Sequence, residues 1–509
     1  MVEGLSGALA YIFTPWPFFY VLLGTSLGIF VGAVPGLTGG MLITLTMPLT
    51  FYMDSTHALV MLVAMYVGSV SGGLISATLL RMPGTPSSIM TTFDGYPMAQ
   101  AGRPERALAL GIGSSLVGGL IAGFFLVVLS PPLSRWAMTF GPWEYCTMVL
   151  MAIVLIASIS QGSMVKGLIA GFLGMVFAMP GLNESDGQLR LTFGLTELSD
   201  GFKLLPVLLG IFVMSQIIKD AYEIDKRPVS LRLGKAAALI RLGDWRRHWL
   251  NIVRSGLIGT WIGILPGVGA SISAMVAYVT AKNFSKTPEK FGTGHEEGIV
   301  ASEAANNANV GGALIPLITM GIPGSPIDAI LLSALILHNI QPGPLLFLTN
   351  GAFVWALVAA YLIANLLMFA IMTFSVRHIA KVITFNKAYL LPVIFVSCVV
   401  GAYALANRMY DVWVVIGFGV LGFFLERAKV PLGPFVIGFV LAGIFEAELR
   451  SSLQLSDAGF LGILDRPIAM TFFALSVAML LWPFVQTLRA RRAATGSATT
   501  DARLEPEER

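Results

Sequence analysis

The chain has 509 residues, of which 56% are hydrophobic and only 12% charged. A water-soluble domain carries about 25% charged residues, so this chain would expose more apolar surface than water tolerates, and a soluble enzyme is excluded. Its net charge of +4 gives no case for a nucleic-acid partner, because the basic residues sit in short loops, where they orient a chain across a bilayer.

The composition predicts an all-α polytopic membrane protein with room for roughly ten to fourteen crossings at about 20 residues each. The N-terminus, MVEGLSGALAYIFTPW, lacks the basic stretch of a signal peptide and reads as mature sequence. Apolar runs follow at 18–34, 40–52, 58–80, 107–130, 139–158, 163–180 and 201–218, then at 248–265, 270–282, 298–321, 350–374, 388–403, 410–425, 431–446 and 467–486. Several are too short for a full crossing and read as half-helices or tilted arms. The stretches near 83–92 and 326–340 read as re-entrant. Cys146 and Cys398 lie in apolar runs without metal-ligand spacing.

Charge sets orientation. The connection 219–247 holds Lys219, Lys226, Arg227, Arg232, Lys235, Arg241, Arg246 and Arg247, and the tail holds Arg489, Arg491 and Arg492. Both read as cytoplasmic. The loops 181–200 (Glu184, Asp186, Glu197 and Asp200 against Arg190) and 446–466 are poor in basic residues and read as external. Counting back places Arg103 and Arg106 inside and the N-terminus outside. The predicted organisation is a first half at 1–218 with core motifs at 20–130, a basic loop at 219–247, a second half at 248–488 with core motifs at 252–374, and a polar tail at 489–509. The two halves would be inverted relative to each other.

An internal repeat supports that division. GTSLGIFVGAVPGLTGG (24–40) resembles SGLIGTWIGILPGVGAS (255–271), and GGLISATLLRMPGTPSS (72–88) resembles GGALIPLITMGIPGSPID (311–328). Proline ends a helix, glycine frees the backbone to restart, and small hydroxyl residues follow each break. Unwound backbone at membrane depth is tolerated only when buried in protein or lining a cavity. A restarting half-helix brings free N–H groups and a positive dipole end. Paired breaks in two halves point to the central site of a secondary transporter. The predicted substrate-binding residues are Gly36, Thr38 and Gly39; Gly84, Thr85, Ser87 and Ser88; Gly267, Gly269 and Ser271; and Gly324 and Ser325.

Glu303, Asn306 and Asn307 share one helix face by their i, i+3, i+4 spacing. Polar groups inside a bilayer are functional candidates, so these three are candidates for holding a coupling cation, against a plain role in helix–helix hydrogen bonding. Asp94 and Asp328, which follow the second break of each half, are the further cation candidates. Asp94 reads equally as a solvated turn residue. Arg81 either meets a substrate carboxylate or anchors its helix end to headgroups. No nucleotide-binding loop, GxSxG elbow or metalloprotease spacing occurs, and no catalytic residues or cofactor are expected.

The stretches GIFVGAVPGLTGG, GGLISATLLRMPGTPSS with FDGYP, and KFGTGHEEGIVASEAANNANVGGALIPLITMGIPGSP with QPGP resemble the large membrane (permease) subunit of the tripartite tricarboxylate transporters, the TctA-type family. The resemblance implies a bacterial inner-membrane permease that imports carboxylates such as citrate on a Na+ or H+ gradient. It also implies a small four-span membrane subunit and a periplasmic solute-binding protein as partners, and an elevator-type movement. The competing expectation is a gated carboxylate channel or a stand-alone carrier without a binding protein. A pore only equilibrates its substrate, which separates the two.

Overall fold

The computed structural model describes residues 2–159, 163–183, 187–222, 240–382 and 387–481. Glu184, Asp186, most of the basic loop and the arginine-bearing tail lie outside the described residues. The helices of the first half are α1 (Val2–Ile12), α2 (Pro15–Ala33), α3 (Gly39–Thr50), α4 (Ser55–Leu80), α5 (Thr91–Gln100), α6 (Pro104–Ala137), α7 (Pro142–Ile159) and α8 (Met164–Ala178). A short antiparallel pair, β1 (Gly181–Leu182) with β2 (Leu189–Arg190), follows. Then come α9 (Leu204–Leu208), a π-helical stretch (Leu209–Met214) and α10 (Ser215–Tyr222). The second half contains α11 (Leu242–Ile264), α12 (Gly269–Phe284), α13 (Glu296–Met320), α14 (Pro326–Leu337), α15 (Leu346–Thr349), α16 (Gly351–Val382), α17 (Lys387–Ala406), α18 (Met409–Arg427) and α19 (Leu432–Leu455).

The protein is therefore an all-α polytopic membrane protein. Among the described residues, seven helices are long and apolar enough to cross a membrane, or eight if the bent pair Gly459–Asp465 and Pro467–Leu481 counts as one span. This is fewer than the ten to fourteen crossings that length alone allows. Six further apolar helices are only 10–17 residues long, because breaks cut the chain into arms such as α3 and α14. Neither α11 nor α13 is among the spans: α11 opens with charged residues, and α13 carries Glu303 and three asparagines within its apolar run.

Sequence chemistry sets the ends. Pro15 and Pro104 open α2 and α6, where a missing N–H is harmless. Asp54 caps α4 by accepting from the backbone N–H groups of Thr56 and His57 at 2.9 and 3.2 Å. Gly36 and Gly267 sit at matching places in the two first breaks with φ of 91° and 79°, a region open without strain to glycine.

α4 and α13 form the centre. Every residue from Ala58 to Leu80 and from Gly298 to Thr319 is buried, as expected for helices enclosed on all sides. α2 packs along α4, and α11 along α13, in the same way. A Cβ added to Gly24, Gly28 or Gly32 would be driven into the carbonyl oxygens of Met61, Met65 and Ser69, and one on Gly259 into that of Ala305. On Gly263 it would lie 2.6 Å from the carbonyl oxygen of Asn309. Small residues let helices in lipid meet backbone to backbone, and both halves use that device. α6 and α16 close this first bundle against α13 and α4. A second bundle gathers α7, α8, α17, α18, α19 and the π-helical stretch. α3 and α14 bridge the two, contacting each other, α4 and members of the second bundle.

Candidate functional site

All four proline-glycine breaks reach one cavity of about 510 Å³. The breaks and the helix starts that follow them contribute Thr38, Gly39 and Gly40, then Thr85 to Ser87, Gly267 to Ile272, and Ser325 to Ile327. α3, α12 and α14 begin at this wall, and a helix start carries unsatisfied N–H groups and a partial positive charge. Thr38 and Ser325 cap their own helices, accepting from the N–H of Met41 at 3.1 Å and of Asp328 at 3.3 Å. The Thr85 and Ser87 hydroxyls lie 2.8 Å apart. Tyr66 of α4 also lines the space, its hydroxyl 3.2 Å from that of Ser325.

Of the predicted substrate residues, Thr38, Gly39, Thr85, Ser87, Gly267, Gly269, Ser271 and Ser325 line the cavity, whereas Gly36, Gly84, Ser88 and Gly324 do not. Packing accounts for three of the four. Gly84 and Gly324 press against the carbonyl oxygens of Gly32 and Gly263, so each second break rests on the helix that ends at the first. The Ser88 hydroxyl is turned back to the Thr85 carbonyl at 2.9 Å.

The opposite wall belongs to the second bundle: Ile156 of α7, Ile211 and Phe212 of the π-helical stretch, Ser215 and Gln216 of α10, and Pro431 to Pro434 at the start of α19. Sequence reasoning missed this wall. One signal for it existed, the PLGP run at 431–434, a proline-rich helix start outside the repeat. Among the described residues no Lys, Arg or His lines the cavity, and Glu426 is its sole charged residue. Glu426 pairs with Lys219 at 2.8 Å.

The cation candidates separate into two groups. Glu303, Asn307 and Asp94 are engaged by the protein. Glu303 accepts from Thr91 and, at 3.2 Å, from Ser115. Asn307 accepts from Ser71 and donates to Ser115 at 2.7 Å, so this network joins α4, α5, α6 and α13. Asp94 is not a solvated turn residue: it is buried in α5, and its carboxylate accepts from the backbone N–H groups of Gly292, Gly294 and His295 and from the Tyr278 hydroxyl at 2.8 Å. It clamps the loop that enters α13. Asn306 and Asp328 differ, because both polar side-chain atoms of each are buried without a hydrogen-bond partner. Neither residue lines the cavity. Arg81 is exposed, in a left-handed conformation, with its guanidinium 5.8 Å from the Tyr96 ring centre.

A second polar cluster gathers where α6, α11 and α13 begin. Arg106 donates to Asp244 at 2.7 Å and to Glu296 at 3.0 Å, and His248 lies 3.2 Å from Glu296. The hydrogen bond with His248, followed by that with Arg106, lowers the Glu296 carboxyl from 4.5 to about 2. The hydrogen bond from Arg106 also lowers Asp244. This contact joins the start of α6 to the starts of α11 and α13.

The sequence profile of the Tripartite tricarboxylate transporter TctA family matches residues 18–437. An Agrobacterium vitis protein described as an uncharacterized 52.8 kDa protein in the TAR-I ttuC' 3' region is 32% identical over 492 residues, spanning 97% of this chain and 98% of that protein. A second from the same organism, described by the TAR-II ttuC' 3' region, is 32% identical over 234 residues, 46% of this chain and 97% of its own length. No solved structure matches the chain.

Proposed function

Because this chain belongs to the tripartite tricarboxylate transporter TctA family, we propose that it is the large permease subunit of a binding-protein-dependent secondary transporter in a bacterial inner membrane. It imports an organic carboxylate anion, the citrate-like tricarboxylates of the family name among the candidates. A Na+ or H+ gradient drives uptake. A periplasmic solute-binding protein delivers the substrate, and a small four-span subunit completes the complex.

The observation that carries this reading is the convergence of four breaks, two from each half, on one cavity. Helix starts and hydroxyls supply donors for a carboxylate without a fixed counter-charge. The buried, unpartnered polar atoms of Asn306 and Asp328 are the favoured places for a coupling cation, because amide and carboxylate oxygens suit a hard ion. The two halves are inverted repeats in this reading. The repeat bundle moves against the second bundle in an elevator-type step, with the substrate between them.

The test is uptake of labelled carboxylates into cells expressing the chain with its small subunit, with and without the ion gradient and the binding protein. Accumulation above the external concentration that needs both supports the proposal. Equal uptake without either rejects it in favour of a pore or stand-alone carrier.

A further inference from the structure

The two walls of the cavity are chemically unlike, and the contrast limits what fits between them. Hydrogen-bond donors, the helix starts and the hydroxyls of Thr85, Ser87 and Ser271, lie on the repeat side. The facing wall presents Ile156, Ile211, Phe212 and the prolines of 431–434. Its two polar side chains short of Glu426 are Ser215, whose hydroxyl is turned to the Ile211 carbonyl, and Gln216. Among the described residues the lining holds no cationic side chain, and its one anionic side chain, Glu426, is already paired with Lys219, so a carboxylate set against the second wall would lose its hydration without gaining a free partner. Burying an unpaired ion is strongly unfavourable.

From this asymmetry we infer that the cavity takes an acid with a single carboxylate and an apolar body, a ring or a short chain, in preference to a compact tricarboxylate. The inference rests on the transport reading above and narrows it. The carboxylate sits among the four breaks, and the body lies against Ile211 and Phe212. A coupling cation at Asn306 or Asp328 would not serve a second or third carboxylate, because neither residue lines the cavity. The volume of about 510 Å³ lies within the range of roughly 300–1,000 Å³ for small-molecule sites lined mainly by apolar groups with a few placed polar ones. The π-helical stretch widens the turn that carries Phe212, and such stretches recur at functional sites. Phe212 and Gln216 are therefore the specificity-determining residues, while the breaks are common machinery.

The purified full-length chain would be titrated with 4-phenylbutyrate, benzoate, tricarballylate and citrate by calorimetry. The expected result is binding of 4-phenylbutyrate about tenfold or more tighter than citrate. Phe212→Ala should weaken 4-phenylbutyrate by about tenfold and leave citrate unchanged. Gln216→Arg, which sets a cation on the second wall, should shift the ratio toward citrate by about tenfold, a gain that misfolding cannot imitate. Tighter citrate binding by the unaltered chain overturns the inference and leaves the transport reading standing, as does an equal loss for every acid in Phe212→Ala. Binding of none of the four acids overturns both.

Discussion

Gly263 lies on α11 where it meets α13, and its replacement by alanine tests the backbone-to-backbone packing directly. The added Cβ would lie 2.6 Å from the Asn309 carbonyl oxygen and 3.0 Å from both the Ala313 nitrogen and the Gly312 Cα. All three neighbours are backbone, so no side chain can swing away. Restoring ordinary contact near 3.4 Å opens the helix pair by about 0.8 Å, the difference between 3.4 and 2.6 Å. Overpacking of this kind destabilises by roughly 1–3 kcal/mol, offset by about 1 kcal/mol for alanine over glycine within a helix. The net loss is about 0–2 kcal/mol. Gly417→Ala on α18, where a Cβ meets nothing within 4 Å, is the control and should be neutral or stabilising by up to about 1 kcal/mol. Denaturant unfolding in mixed micelles reads the difference. Gly324 rests 3.0 Å from the Gly263 carbonyl oxygen by the same construction, so Gly263→Ala should also disturb the second break and slow uptake. Equal stability of the two variants would refute the packing argument.

Asn306→Ala should abolish ion-coupled uptake while leaving membrane insertion and thermal stability near those of the unaltered protein, since no protein hydrogen bond is lost; uptake at the original rate would reject a coupling role. Asn307→Ala should behave differently, losing about 1–3 kcal/mol of stability because Ser71 loses its acceptor and Ser115 one of its two hydrogen bonds. Thr38→Ala removes the α3 cap and should lower stability by about 0.5–2 kcal/mol, and Thr38→Ser should restore it; failure of serine to rescue would place the effect elsewhere. Glu296 is held below its ordinary value, so its contribution is full above about 4.5 and is lost as pH falls toward 2. A stability–pH scan should decline across that window, and the decline should shrink in Arg106→Gln; a decline of equal size in both proteins would remove the cluster as its cause.

Much of the architecture was legible because hydrophobic runs and proline-glycine breaks are local signals. Each of the fifteen apolar runs falls on a helix as far as the described residues reach, and the paired breaks line one cavity. The rest depends on contacts between residues far apart in the chain. Nothing near Asp94 announces that Gly292, Gly294 and His295 deliver their N–H groups to it from about 200 residues away. Ser71, Ser115 and Thr91 are unremarkable within their helices until α4, α5 and α6 bring them to Glu303 and Asn307. The facing wall escaped for the same reason: Phe212 and Gln216 sit in an ordinary apolar stretch, and only the placement of the second bundle turns them toward the breaks.

The glycines at 24, 28 and 32 recur every four residues, about 6 Å along the helix at 1.5 Å per residue, and each meets one carbonyl of α4. Sliding α2 by a single residue would replace every glycine in the seam with a residue carrying a side chain, where there is no space for one. The seam therefore behaves as a ratchet with teeth about 6 Å apart and no intermediate stops. A helix pair of this kind resists sliding, so the seam holds α2 in register with α4 up to the break at Pro35 and Gly36.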